Sequence, residues 1–221
     1  MHIFKNILIY LRKWPILNSI LGNIITGKDP NVLKEIYEPL FCDNIDLYKK
    51  MDDGIFCEIF SKHPDVNSLE NIAKNAEVES RMRILAYRRL TEHGAIQNSK
   101  EVLSVIFEYH MSDGLDVLAV YADGSARYLN HSGKVLIWDG VPPTSDVKKI
   151  FFDASSIVKK IGPWDKKRLP PPQRGNARIT LLVNGEIYFG EGPFNFMRND
   201  PFAKDIIRHL TNFMIFLTSR K

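Results

Sequence analysis

Three side chains in one short stretch are of types that carry proton-transfer chemistry. Asp116, Arg127 and His131 lie in LDVLAVYADGSARYLNHSGKVLIWD, residues 115–139. A carboxylate that reaches an imidazole fixes its tautomer and aims the other ring nitrogen outward, as a general base requires. A guanidinium nearby would hold a small anionic substrate. The stretch reads as three β-strands, and Asp123-Gly124 is a strong signal for a two-residue hairpin turn. In that register Val120 faces Arg127, Leu118 faces Leu129 and Asp116 faces His131, all on one side of the sheet. Val117, Ala119, Tyr121, Ala126, Tyr128 and Asn130 take the other side. A second two-residue turn around Ser132-Gly133 would put Trp138 across from Arg127, a pairing that a three-residue loop would break. The plain alternative for Asp116 and His131 is a cross-strand pair at the rim of the sheet, worth little in water. No spacing in the chain places a nucleophile beside them.

The second candidate is the loop GPWDKKRLPPPQRG, residues 162–175. It combines a stiff proline backbone, an aromatic and several cations, and binding functions concentrate on such loops. Trp164, Asp165, Arg168 and Arg174 are its candidate binding residues. Trp164 with the two arginines would take a planar or anionic ligand or a partner's acidic segment. The prolines would otherwise form a polyproline strut for a partner's aromatic groove. The competing reading is a rigid connection whose Trp164 covers the domain's own core.

Weaker signals are quickly bounded. Arg81, Arg83, Arg88 and Arg89 make the helix expected over 77–93 basic; the readings are a face for phosphate or an acidic partner and, favoured, a solvated surface salted with Glu77 and Glu79. Gly190 and Gly192 lie too far before the helix expected near Asp200-Pro201 to cradle a phosphate. Two cysteines without ligand spacing and six scattered histidines imply no metal site, and nothing implies a cofactor. A net charge of +4 without clustering gives no specific nucleic-acid signal.

The elements that must position these residues follow from periodicity. Ile3, Phe4, Ile7, Leu8 and Leu11 fall at helical spacing, with Lys5, Arg12 and Lys13 around them, which predicts an amphipathic helix for a membrane surface or for docking on its own protein. No secretory-signal pattern or spanning apolar run is present. Short helices are expected to residue 62, then a helix with an Asn67/Glu70 capping pattern, then the 77–93 helix ended by Gly94. Glu101–Met111 is rich in β-branched and aromatic residues and reads as a strand. Val147, Ile150, Phe151, Ala154, Ile157, Val158 and Ile161 define an amphipathic helix, stopped by Gly162-Pro163. A hairpin about Asn184-Gly185 pairs Arg178 with Glu191, Thr180 with Phe189 and Leu182 with Ile187. A last helix buries Phe202, Ile206, Leu210, Phe213 and Leu217. The fold class is α+β: an antiparallel meander sheet covered by two amphipathic helices, with a helical N-terminal region. The boundaries are 1–95 for the helical region and 96–221 for the α+β domain, packed as one unit.

The run GLDVLAVYADGSARYLNHSGK, followed by IGPWD, RLPPP and YFGEGPF, resembles an uncharacterised family of bacterial proteins of unknown function. The resemblance covers the chain from about Ala76 onward and implies a bacterial, cytoplasmic origin and no particular activity.

These observations lead to a non-enzymatic binding or protein-interaction protein, immunity- or adaptor-like, that uses the 162–175 loop and the adjoining sheet with an unidentified protein partner. The first alternative is a small enzyme acting on an anionic substrate through Asp116, His131 and Arg127. The second is a peripheral membrane protein held by its basic N-terminal helix.

Overall fold

The computed structural model describes residues 36–48, 54–95, 99–142 and 144–219. The basic N-terminal helix expected from Ile3 to Leu11 lies outside the described residues. Six strands form one open antiparallel sheet: β1 (Val102–His110), β2 (Leu115–Tyr121), β3 (Ala126–Leu129), β4 (Val135–Trp138), β5 (Asn176–Val183) and β6 (Glu186–Pro193). Their order is β4-β3-β2-β1-β5-β6. Helices α1 (Ile55–Ile59), α2 (Val66–Lys74) and α3 (Ser80–Glu92) precede the sheet, and α4 (Asp146–Val158) lies between β4 and β5. Helices α5 (Phe194–Met197) and α6 (Lys204–Thr218) follow β6. The chain is α+β with an antiparallel sheet, as the sequence predicts.

The sheet is covered on both faces, and this explains why β1, VLSVIFEYH, is apolar almost throughout rather than alternating. On one face Val105, Phe107, Leu118, Val120, Ile179 and Leu181 pack under Ile150 and Ala154 of α4 and Leu210 and Phe213 of α6. On the other, Ile106, Val117, Ala119, Tyr121 and Leu182 pack under Leu69 of α2, Leu85 of α3 and the turn Glu38–Phe41. Each large side chain removed from water there contributes on the order of 2 kcal/mol.

The two Asx-Gly turns differ. Asn184 and Gly185 both have positive φ, 45° and 83°, so this two-residue turn holds the expected register: Arg178 faces Glu191 and Thr180 faces Phe189. The Asp123-Gly124 turn is one residue longer. Tyr121 N–H donates to the Ser125 carbonyl at 2.9 Å, and Gly124 takes the left-handed position at φ 86°. Ala119 therefore faces Arg127 and Val120 faces Ala126. That shift by one moves every β3 side chain to the face opposite the expected one. The longer loop places the Asp123 carboxylate to accept from Ser125 N at 2.8 Å and, across the fold, from Ser80 N at 2.8 Å. Asp123 N in return donates to Ser80 Oγ at 3.0 Å, so the hairpin loop caps α3. The next turn is also three residues long, with Gly133 at φ 86°, and pairs Arg127 with Ile137 rather than Trp138.

Three smaller expectations are corrected. The cap of α2 is Asp65, whose carboxylate accepts from Asn67 N at 3.1 Å, in place of the Asn67/Glu70 pattern. Phe202 is 57% exposed, because Asp200 takes the Phe202 and Ala203 N–H groups and leaves Phe202 in the turn before α6. The arginines of α3 are not a solvated surface. Arg81 and Arg83 are buried, Arg83 reaches the Ala73 carbonyl and Glu101, and Arg89 donates to the carbonyls of Ile59 and Ser61. They tie α1, α2 and the start of β1 to α3, which helical periodicity cannot reveal.

Candidate functional site

Residues 162–175 form a strap across the edge of the sheet beside β6 and β5. α4 ends at Val158, four residues before the Gly162-Pro163 expected to stop it, and Trp164 N–H donates to the Ile187 carbonyl at 2.7 Å, adding one rung to β6. The indole packs edge-on against Phe189, with centroids 5.1 Å apart, and its Nε1–H donates to the Lys167 carbonyl at 3.0 Å. Trp164 thus covers its own domain.

Arg168 points inward as well. Its Nε donates to Asp43 at 2.6 Å, its Nη2 to Glu38 at 2.5 Å and its Nη1 to the Tyr37 hydroxyl at 3.3 Å. The guanidinium stacks on Phe41, 3.8 Å from the ring centroid. Burial opposes its charge, and Asp43 and Glu38 outweigh that effect, so Arg168 is held more firmly ionised than a free arginine.

Beneath the strap lies a buried polar cluster. Glu108, near the C-terminal end of β1, is fully buried and accepts from Tyr37 at 2.7 Å. Arg178 of β5 lies 3.7 Å from it and 2.6 Å from Glu191. Burial raises the Glu108 carboxyl above its ordinary range, against the lowering effects of Tyr37 and Arg178. Arg178 also donates upward, to the Leu169 carbonyl at 3.2 Å and the Pro170 carbonyl at 2.7 Å. His110 Nδ1 holds the Pro172 carbonyl at 2.8 Å, Gly175 N–H donates to the His110 carbonyl at 2.7 Å, and Arg174 reaches the Ser112 carbonyl at 2.6 Å. A strap without regular secondary structure is thereby fixed to the scaffold along its length.

Of the four loop residues singled out in the sequence, Trp164 and Arg168 meet under the strap, around a void of only about 10 Å³, too small for a planar ligand. Arg174 turns to the β1–β2 turn instead, and Asp165 stays exposed. The outward surface belongs to Asp165, Lys166, Lys167, Leu169, Pro170 and Pro171. The anchoring residues Glu108, Arg178 and Tyr37 were not recognised from the sequence. A lone glutamate within SVIFEYH and a lone arginine in NARITLLV were the available signals, since neither belongs in a strand covered on both faces without a partner.

The Asp116–His131 contact forms although its register argument does not hold. Asp116 lies opposite Tyr109 and beyond the end of the β2–β3 ladder, and His131 comes to it from the turn. Asp116 accepts from His131 Nδ1 at 2.9 Å, from His131 N at 2.8 Å and from the Tyr128 hydroxyl at 2.5 Å. Burial and the bond to Asp116 push the Tyr128 hydroxyl up to about 12. Arg127 lies on the opposite face, where it pairs with Asp139 at 2.9 Å and donates to the Ala126 and Trp138 carbonyls. The three residues do not form one site.

Among the described residues no group of histidine, cysteine and acidic side chains could hold a metal ion, and no helix is long and apolar enough to cross a membrane. No family model matches the chain, and no curated protein matches it.

Proposed function

We propose that this chain is a non-enzymatic protein-binding module, immunity- or adaptor-like, whose contact surface is the outward side of the strap. The observation that supports the reading is the anchoring of the strap from below: Arg178 and His110 hold the carbonyls of Leu169, Pro170 and Pro172. A segment already fixed in one conformation loses little entropy when a partner docks on it. The displayed side chains are Lys166, Lys167, Leu169 and two prolines, and Asp165 is the only acid among them, so the favoured partner is a protein with an acidic surface. A bacterial cytoplasmic setting accords with Cys42 and Cys57, which form no disulfide. The enzyme reading has less support, because Arg127 is turned away from Asp116 and His131.

The test is capture by the immobilised chain from native bacterial lysate, compared with a Lys166→Glu/Lys167→Glu variant. The expected result is a bound protein that the variant loses while its melting temperature stays within about two degrees of the parent's. Equal capture by both would remove the strap from the interface.

A further inference from the structure

We propose that the outer face of the α4–α6 layer docks on an anionic lipid surface. In α4 the buried positions are Val147, Ile150, Ala154 and Val158. At helical spacing the opposite stripe is Lys148, Lys149, Phe152 and Ser156, followed just past the helix end by the exposed Lys159 and Lys160. In α6 the buried stripe runs through Ile206, Leu210, Phe213 and Leu217, and the opposite one holds Lys204, Arg208 and Ile215. The two helices lie side by side on the sheet, so both stripes face away from it.

Two features of this surface point to a bilayer. Its large apolar groups project instead of packing: Phe152 is 74% exposed, Ile215 60% and Phe202 57%, with Lys160 only 5.0 Å above the Phe202 ring. Its acids are already engaged. Asp153 binds His209 at 2.9 Å, Asp205 pairs with Arg208 at 3.0 Å, Asp200 caps the turn before α6 and Asp146 accepts from Thr144. Hydrogen bonds leave the charge on Asp146 and Asp200, but Lys148, Lys149, Lys159, Lys160, Lys204 and Arg208 outnumber the four acids, so the face keeps a modest positive excess around the projecting apolar side chains. Single apolar side chains on helical ridges suit a fluid interface, which accepts them without a preformed pocket, whereas a protein partner would have to supply a matching pocket for each. Lysines near an anionic leaflet add attraction that salt screens. The strap packs on the opposite face of the sheet, so lipid docking here would leave it available.

The test is sedimentation of the 221-residue chain with sucrose-loaded vesicles, either pure phosphatidylcholine or equimolar phosphatidylcholine and phosphatidylglycerol. The chain is expected to pellet with the anionic vesicles only and to be released by salt. Lys148→Glu/Lys149→Glu and, separately, Phe152→Ser/Ile215→Ser should each weaken binding at least about tenfold. Circular dichroism melts would confirm that both variants stay folded, and Lys166→Glu/Lys167→Glu on the strap should bind vesicles like the parent. Failure to pellet overturns the proposal. So does binding that survives the α4 and α6 changes, which would assign it to Lys5, Arg12 and Lys13. Retention on polyglutamate beads without vesicle binding, lost in the same variants, would assign the face to an acidic protein instead.

Discussion

Arg168 Nε and Asp43 Oδ2 lie 2.6 Å apart and join residues 125 positions distant in the chain. The strap is fastened to the helical layer through this contact, and the arginine side chain is only 11% exposed. Arg168→Ala leaves Asp43 and Glu38 without their partner and removes the stacking on Phe41. The expected loss is about 2–4 kcal/mol in urea denaturation. Arg168→Lys keeps the charge without the planar fork and should recover less than half of that. A loss below about 1 kcal/mol for the alanine variant would show that the strap is held by its backbone contacts alone.

Asp123 caps a helix to which it is not adjacent in sequence. Asp123→Ala should cost about 1–2 kcal/mol at neutral pH, read from chemical denaturation. Burial works to raise this carboxyl, and hydrogen bonds from Ser125 and Ser80 overcome it, so it titrates below the usual carboxylate range. A depressed folded value means that the stabilisation is present above the unfolded value and is lost as pH falls through the folded one. The gap between parent and variant should therefore close in acid and stay constant from about pH 5 to about pH 8.

Glu108 has the opposite sign. Burial raises its carboxyl, so the folded state holds the proton longer than the unfolded chain does, and stability falls as pH rises between the two values. Glu108→Gln mimics the protonated form. Its melting temperature relative to the parent should increase as pH rises from about 4 through the raised value, then level off. A difference independent of pH would mean that Arg178 keeps Glu108 ionised throughout.

Gly185 cannot be replaced without strain. Its φ is 83°, and a Cβ there would lie 2.9 Å from Arg88 N and 3.0 Å from Tyr87 C in α3. Backbone contacts of that kind cannot swing aside. Gly185→Ala should cost about 2–4 kcal/mol in chemical denaturation, well beyond the roughly 1 kcal/mol of left-handed backbone alone.

The thiols should react very differently. Cys42 is completely buried, and burial pushes its thiol up to about 12, whereas Cys57 is exposed. A chromogenic disulfide reagent at pH near 8 should label only Cys57 in the folded protein and both thiols in denaturant. Rapid labelling of Cys42 would show that the turn Glu38–Phe41 opens readily.

Much of the fold could be read directly from the chain. Six of the seven apolar positions from Val147 to Ile161 fall in α4, which ends at Val158 before Ile161, the 77–93 pattern with Gly94 contains α3, and Asn184-Gly185 set the correct register for β5 and β6. Asp123-Gly124 did not. A two-residue turn and a three-residue loop ending in a left-handed glycine both place Asp before Gly, and here the remote Ser80 accompanies the longer loop. The candidate site was legible only as a location. Proline-rich composition marked residues 162–175, but of the four side chains singled out there Trp164 and Arg168 turn inward as anchors, as the rigid-connection reading expected for Trp164, while Asp165 and Arg174 stay exposed.

The sequence by itself determined the elements and the fold class, because apolar spacing, turn residues and caps act over a few neighbouring positions. Tertiary structure alone decided which charges are buried partners and which are displayed. Arg168 meets Asp43, Arg178 meets Glu108, and Asp123 meets Ser80 at the start of α3, across 125, 70 and 43 positions. Pairings over such distances depend on the register and layering of the whole sheet. No local pattern records them.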